Sequence, residues 1–208
     1  MMYVSRMDES RRDRKKRLTR HRIVMTAIRL FEERGYEETT VAQIAAASDV
    51  DPKTFFNYFG SKDEVLFVGS EADFDVLLNA IAERRPQESP GEVLRRAVRA
   101  YATHRRPQVP PKEPAELSAV ARLVHASPAL QAKGAHVALR LQRRIAEALS
   151  REFGDRLDPI TAAAMTGAVL GAIEQATWAS IQLGQTQQQL WEAADRALDI
   201  ATRGLNEL

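Results

Sequence analysis

From residue 18 onward, apolar residues recur at helical spacing, and glycines and prolines punctuate the intervals between the repeats. Ile23, Ala27, Leu30 and Phe31 line one face of a helix that Gly35 closes as a C-terminal cap. Thr40 followed by Gln43 makes a capping box for a short helix over 41–47, with Val41, Ile44 and Ala45 on its apolar side. Ser48, Asp49 and Val50 form a tight break. Asp51 then caps a third helix that has Pro52 in its first position and ends at Gly60. Ser61 with Glu64 repeats the capping-box pattern and predicts a fourth helix running to about Ala82. Residues 1–17 lack the apolar repeat and are expected to be a disordered arm.

A boundary falls at 84–91, where Arg84, Arg85 and Pro86 lead to Gly91. Helices are predicted near 92–105 and 115–125, separated by the proline-rich PQVPPKEP. Pro128 opens another to about Glu152, and Asp158 with Pro159 caps one reaching about Leu183. Gly184 breaks the chain before a last helix over about 186–204. No strand is predicted. The expected fold is all-α, with about nine helices: four short ones and then a larger bundle.

The stretch DVDPKTFFNYFGSKDE, residues 49–64, concentrates Phe55, Phe56, Tyr58 and Phe59 in a chain with thirteen aromatics. On a wheel of about 100° per residue, Phe55, Phe56 and Phe59 form one apolar face, while Lys53, Thr54, Asn57 and Tyr58 form the polar face. Three of the four rings are therefore expected in the core, clamping a helix too short to be stable alone. The polar face carries groups suited to phosphates and base edges. A short helix, a tight turn and a second short helix fit a helix-turn-helix whose second helix enters the major groove. Lys62, expected in the first turn of the fourth helix, lies where backbone N–H groups also favour a phosphate. An ordinary amphipathic bundle helix would give the same wheel.

Charge sharpens this picture. The formal net charge is only +2, but residues 1–22 hold nine Arg or Lys against three acids. A basic arm on a mildly acidic body suits a polyanionic partner; a solvated tail has the same composition. The absence of cysteine excludes disulfides, cysteine zinc sites and thiol catalysis. The charged N-terminus has no apolar export core, and the longest near-apolar run, 161–173, is too short to span a bilayer, so a cytoplasmic location is expected. GxSxG, HExxH, P-loop and GxGxxG patterns are all absent, so no enzyme activity or cofactor is expected. His104, His125 and His136 lack metal-ligand spacing.

The segment HRIVMTAIRLFEERGYEETTVAQIAAASDVDPKTFFNYFGSKDEVL resembles the DNA-binding domain of TetR-type (tetracycline-repressor-like) transcriptional regulators. LFEERGYEETTVAQIA and TFFNYFGSKDEVL are its most specific pieces. The resemblance implies a helix-turn-helix domain over 18–67, helix four as connector to about 82, and an effector-binding and dimerisation domain over 68–208. It implies that Thr40 meets a phosphate, that Lys53 and Thr54 reach bases or phosphates, and that Tyr58 and Lys62 hold the backbone. Asn57 stands where His is frequent in the family. Phe56 replaces a common Tyr, and Asp51 and Pro52 also depart from the pattern, so base preference does not carry over. The basic arm then reads as a DNA-wrapping extension.

RLVHASPALQAK and LDPITAAAMTGAVLGAIEQATWASIQ are similar to a branch that includes a mycofactocin-type regulator and is associated with acyl-CoA-like ligands. Candidate effector contacts are Tyr101, Arg122, His125, Arg140, Glu174 and Trp178. The arginines could equally be the wet face of a helix, and Glu174 and Trp178 could lie at a dimer seam. The helix over 159–183 is rich in small residues, including Ala164, Gly167, Ala168 and Gly171, a packing signal. By resemblance the last two helices form a four-helix homodimer interface. Two recognition helices would then meet a pseudopalindromic duplex with half-sites about 34–36 Å apart. The reading is a repressor released from its operator by a small-molecule effector, an acyl-CoA-like one in this branch. The competing readings are an architectural DNA binder without effector and an all-helical enzyme.

Overall fold

The computed structural model describes residues 11–67, 70–105 and 119–203. Among them are nine α-helices, two single 3-10 turns and no strand. The chain divides into two compact units, Met1–Val68 and Gly69–Leu208.

The first unit holds α1 (Arg11–Arg34), α2 (Val41–Ala47) and α3 (Pro52–Phe56). Ile23, Ala27, Leu30 and Phe31 of α1, Ile44 and Ala45 of α2, Phe55 of α3, and Phe59, Val65 and Leu66 beyond it are all buried; α1 packs on α2 and on the turn at residues 63–65, and α2 packs on α3. Gly35 ends α1 in the left-handed region, at φ +87°, a conformation that costs a side chain most and glycine least. The buried Thr39 hydroxyl donates to the Gly35 carbonyl at 2.8 Å and tethers the link between α1 and α2. The expected capping box is present: Thr40 Oγ1 accepts from the Gln43 N–H, and Gln43 Oε1 accepts from the Thr40 N–H. The break after α2 turns at Asp49, φ +53°, a position aspartate tolerates better than most residues.

Three expectations are corrected here. The helix expected from Leu18 begins at Arg11, so residues 11–17 are not a disordered arm. Arginine and lysine are strong helix formers, and periodic burial is a poor guide where the side chains of a helix are exposed. Residues 1–10 lie outside the described residues. Secondly, no single helix runs from Ser61 to Ala82. A 3-10 turn, Asp63–Val65, is followed by α4 (Ser70–Ala82), and the Glu64 carboxylate accepts from the Gly60 N–H at 2.7 Å. That turn buries Val65 and Leu66 in the core of the first unit. Thirdly, Phe56 is not core: it is 54% exposed, against 0% for Phe55 and 3% for Phe59.

The second unit holds α4, α5 (Pro90–Arg105), α6 (Ala119–Ala126), α7 (Pro128–Phe153), α8 (Pro159–Gln182) and α9 (Gln187–Arg203). The start expected for the helix at 115–125, and the proline-rich run before it, fall outside the described residues. Helix α4 packs on α5 and α7, α7 on α8, and α8 along α9. Leu77, Ile81, Val93, Leu94, Ile145 and Leu149 lie in their common core. Proline follows a side-chain cap at the start of α7, where Ser127 caps, and of α8, where Asp158 caps.

One ion pair pins the α4–α5 link. Arg96 Nε and Nη2 donate to the two Glu88 carboxylate oxygens at 2.8 and 2.9 Å, and Nη1 donates to the Ala80 carbonyl at 2.8 Å. The Arg96 guanidinium, then the Arg85 N–H, pull the Glu88 carboxyl down from 4.5 to about 2. A depressed carboxyl stabilises the fold above its unfolded value, and that contribution disappears as pH falls from about 4.5 through about 2. Arg96→Ala is expected to cost about 2 kcal/mol at neutral pH. Thermal melts of wild type and Glu88→Gln should differ at pH 7 and converge as the pH drops below 4. A constant difference would show that the pairing is irrelevant to stability.

Candidate nucleic-acid interface

Asp51 shapes the start of α3. Its Oδ1 accepts from the Thr54 N–H at 2.7 Å, and its Oδ2 accepts from the Thr54 hydroxyl at 2.9 Å. These bonds hold the Asp51 carboxyl below its ordinary range, the backbone bond being the stronger cause. They also commit the Thr54 proton. What remains at Thr54 Oγ1 is acceptor capacity, which suits an amino group on a base edge better than a phosphate.

Helix α3 spans five residues, and the chain then turns through Asn57 and Tyr58. Lys53 and Asn57 are exposed, and Tyr58 is half-buried with its ring 6.3 Å from that of Phe59. Phe56 meets Phe55 edge-on at 5.6 Å and presents its outer side to solvent. Exposed Thr40 caps α2 through its oxygen, which leaves its O–H available to an acceptor.

Lys62 departs from expectation. Its ammonium donates to the carbonyls of Tyr36 at 2.8 Å, Thr39 at 3.1 Å and Glu37 at 3.3 Å, and lies 4.2 Å from the centre of the Tyr36 ring. It is not in the first turn of a helix. With three donors on three carbonyls, it ties the α1–α2 link to the segment after α3 and has no free donor to offer a phosphate. Partial burial, then Asp63 and Glu37, push the Tyr36 hydroxyl up to about 12, so it stays protonated beside the lysine.

A groove of about 910 Å³ runs between α1 and the recognition segment. Arg12, Lys15, Lys16, Thr19 and Arg22 line one side; Asp49, Val50, Thr54 and Tyr58 line the other. Arg12, Lys15 and Lys16 belong to the arm that the resemblance reads as a DNA-wrapping extension, whereas Thr19 and Arg22 were not among the expected contacts; the spacing of three and four residues is legible in RRDRKKRLTRHR.

The candidate effector residues sit in the second unit. His125 of α6 and Trp178 of α8 are brought together, ring centres 4.6 Å apart, and His125 Nδ1 is buried without a hydrogen-bond partner. Tyr101 of α5 packs against the core, while Arg122, Arg140 and Glu174 are exposed. None of the six lines the open groove of about 740 Å³ between α7 and the start of α8. Among the described residues no acidic or histidine cluster could hold a metal, and no helix is long and apolar enough to cross a membrane.

Residues 23–67 match the family described as bacterial regulatory proteins of the tetR family, and residues 88–206 match the MftR C-terminal domain. The chain is 35% identical to the transcriptional regulator TcmR of Streptomyces glaucescens over 71% of its own length and 66% of TcmR. It is 28% identical to MftR of Mycobacterium tuberculosis, described as a mycofactocin biosynthesis regulator, over 96% and 98% of the two chains. Its fold is similar to that of a TetR-family regulator of Streptomyces coelicolor (TM-score 0.53, 16% identity, 89% and 95% coverage). It is also similar to that of a regulator from Aquifex aeolicus (TM-score 0.51, 19% identity, 88% and 98% coverage). A capped two-helix reader on α1, an all-helical second unit and matches across both units lead to one conclusion: this chain belongs to the TetR family of DNA-binding transcriptional regulators.

Proposed function

We propose that the protein is a ligand-responsive repressor that binds a pseudopalindromic operator as a homodimer. The observation that carries this is the polar row of exposed Lys53, half-buried Thr54 and exposed Asn57 along α3 and its C-terminal cap, in a segment held by the buried rings of Phe55 and Phe59. Thr40 and Tyr58 flank that row and supply phosphate contacts.

A second copy is supported by apolar exposure in the second unit. Ile160 and Ile200 are 82% and 64% exposed on the adjacent helices α8 and α9, and Ala164 and Ala168 continue the α8 stripe. Effector binding is supported by the His125–Trp178 pair, whose unpartnered Nδ1 offers a polar anchor beside an aromatic wall. Acyl-CoAs are the first class to try, because the matched C-terminal domain type is similar to that of the mycofactocin-type branch. Such a ligand acts only through its different affinity for DNA-competent and DNA-incompetent states.

The test is selection of the purified protein against random duplex DNA, then titration of acyl-CoAs against the bound complex. An enriched inverted repeat released by one of them supports the full reading. An enriched repeat that no small molecule releases favours an architectural role. Within the reader, Tyr58→Phe should weaken binding to all duplexes about equally, by roughly 1 kcal/mol, whereas Asn57→Ala should relax preference at one base position by about 1–3 kcal/mol. Equal loss on every sequence for Asn57→Ala would exclude base reading by that side chain.

A further inference from the structure

The family match begins at residue 23, but α1 begins at Arg11. The added turns, residues 11–22, carry eight arginines or lysines against one acid. Such a helix is costly to form. Like charges three and four residues apart repel, and cations at a helix N-terminus oppose the macrodipole. Residues Arg11, Arg12, Arg14, Lys15, Lys16 and Arg17 are all exposed, so little burial offsets these penalties. An anion along this helix would relieve both.

The position of the charges says where that anion lies. At about 100° per residue, Arg12, Lys15, Lys16, Thr19 and Arg22 fall within an arc of about 120°. Arg12, Lys16 and Thr19 lie in line with Ile23 and Leu30, the residues that face the core further along the helix. The inward stripe of α1 is thus apolar where it covers α2 and α3, and basic where it overhangs them. There the overhang borders the groove whose other wall includes Thr54 and Tyr58. Four cations line that groove against one carboxylate, Asp49. From Arg12 to Arg22 the stripe runs about 15 Å, long enough to follow several consecutive phosphates of one strand.

We propose that the overhanging part of α1 is a rigid phosphate-binding rail, and that it grips the same DNA strand whose bases the recognition helix reads. The rail rests on the operator-binding reading above but concerns backbone affinity rather than sequence. Arg12 and Lys16 neutralise phosphates, and Tyr58 meets the same strand from the opposite wall. A free polyphosphate has the same chemistry as a DNA backbone; the length of the stripe and the presence of recognition residues on the facing wall favour DNA.

The experiment uses the full chain, with the selected operator and a random-sequence duplex of equal length. Log Kobs is plotted against log salt for wild type, for Arg12→Gln/Lys16→Gln, and for a control of equal charge loss, Arg14→Gln/Arg34→Gln. Circular dichroism and thermal melts confirm that each variant is folded. The rail predicts that the Arg12/Lys16 variant loses about 1.8 from the slope on both duplexes, at about 0.9 per phosphate. Its binding at 0.15 M salt should be about 30-fold weaker, while the control changes by less than about 3-fold. An unchanged slope with operator preference intact overturns the rail and spares the repressor reading. Equal losses in both variants also overturn it, because diffuse charge would then suffice. Tripolyphosphate bound at micromolar concentration through Arg12 and Lys16, with the DNA slope unchanged, assigns the groove to a small anion and overturns it too. If no operator exists, the slope on random duplex still decides the rail, and only the repressor reading fails.

Discussion

Phe55→Ala is expected to remove about 3–5 kcal/mol from the N-terminal unit, while Phe56→Ala, one residue away, should change stability by less than about 0.5 kcal/mol. Phe55 is 0% exposed and stacks at a tilt on Phe59, 5.4 Å away, whereas Phe56 is 54% exposed. A helix of five residues cannot hold itself together, so α3 exists because buried Phe55 anchors it in the core of this unit, against α2. Small domains carry only about 5–15 kcal/mol of net stability, and losing a fifth or more of it at this ring should weaken DNA binding at 37 °C. Urea unfolding followed by circular dichroism, with DNA binding at each temperature, checks both. A Phe55→Ala protein as stable as wild type would mean that another group seats α3. Phe56→Ala should lower DNA affinity with the melt unchanged, because a ring exposed on the reader touches whatever the reader touches.

Lys62→Met should destabilise the same unit by about 2–4 kcal/mol, since it removes a charged donor from three carbonyls and keeps the side-chain volume. Lys62→Arg should not restore it, because a planar guanidinium cannot aim three donors at carbonyls converging on one point. Weaker DNA binding is expected as well, since the tethered link leads straight into Thr40. The salt dependence separates this role from a phosphate contact. A clamp leaves the slope of log Kobs against log salt unchanged while the melt falls. A phosphate contact lowers the slope by about 0.9 while the melt stays put. The second pattern would overturn the assignment made here.

Much of this molecule was legible before any coordinates. Thr40 with Gln43, Asp51 with Pro52 and Asp158 with Pro159 marked helix starts, because a cap bonds backbone groups within three residues of itself, and Pro128 marked another. Gly35 and Gly184 marked ends because only a left-handed turn closes the chain there, at φ +87° and +65°. The polar row Lys53, Thr54 and Asn57 followed from the same local periodicity. These are short-range facts, and they determine the order of the helices and the exposure of Lys53 and Asn57.

The exposure of Phe56, the carbonyl partners of Lys62 and the helix over 11–17 escape the sequence for a common reason. Helical periodicity names a face but not its width, and the core buries Phe55 of α3 and Phe59 beyond it but not Phe56. Lys62 could be any exposed lysine until the fold brings the carbonyls of residues 36–39, more than twenty positions away, within about 3 Å of its ammonium. The basic run reads as a tail when burial is the signal sought, and becomes one wall of a groove only when Thr54 and Tyr58 stand across from it. The sequence by itself therefore determined the order of the helices, the caps of α2, α3 and α8, and the family. Tertiary structure decided which ring is buried, which lysine is a clamp and which arginines face the recognition segment, because those depend on contacts between residues far apart in the chain.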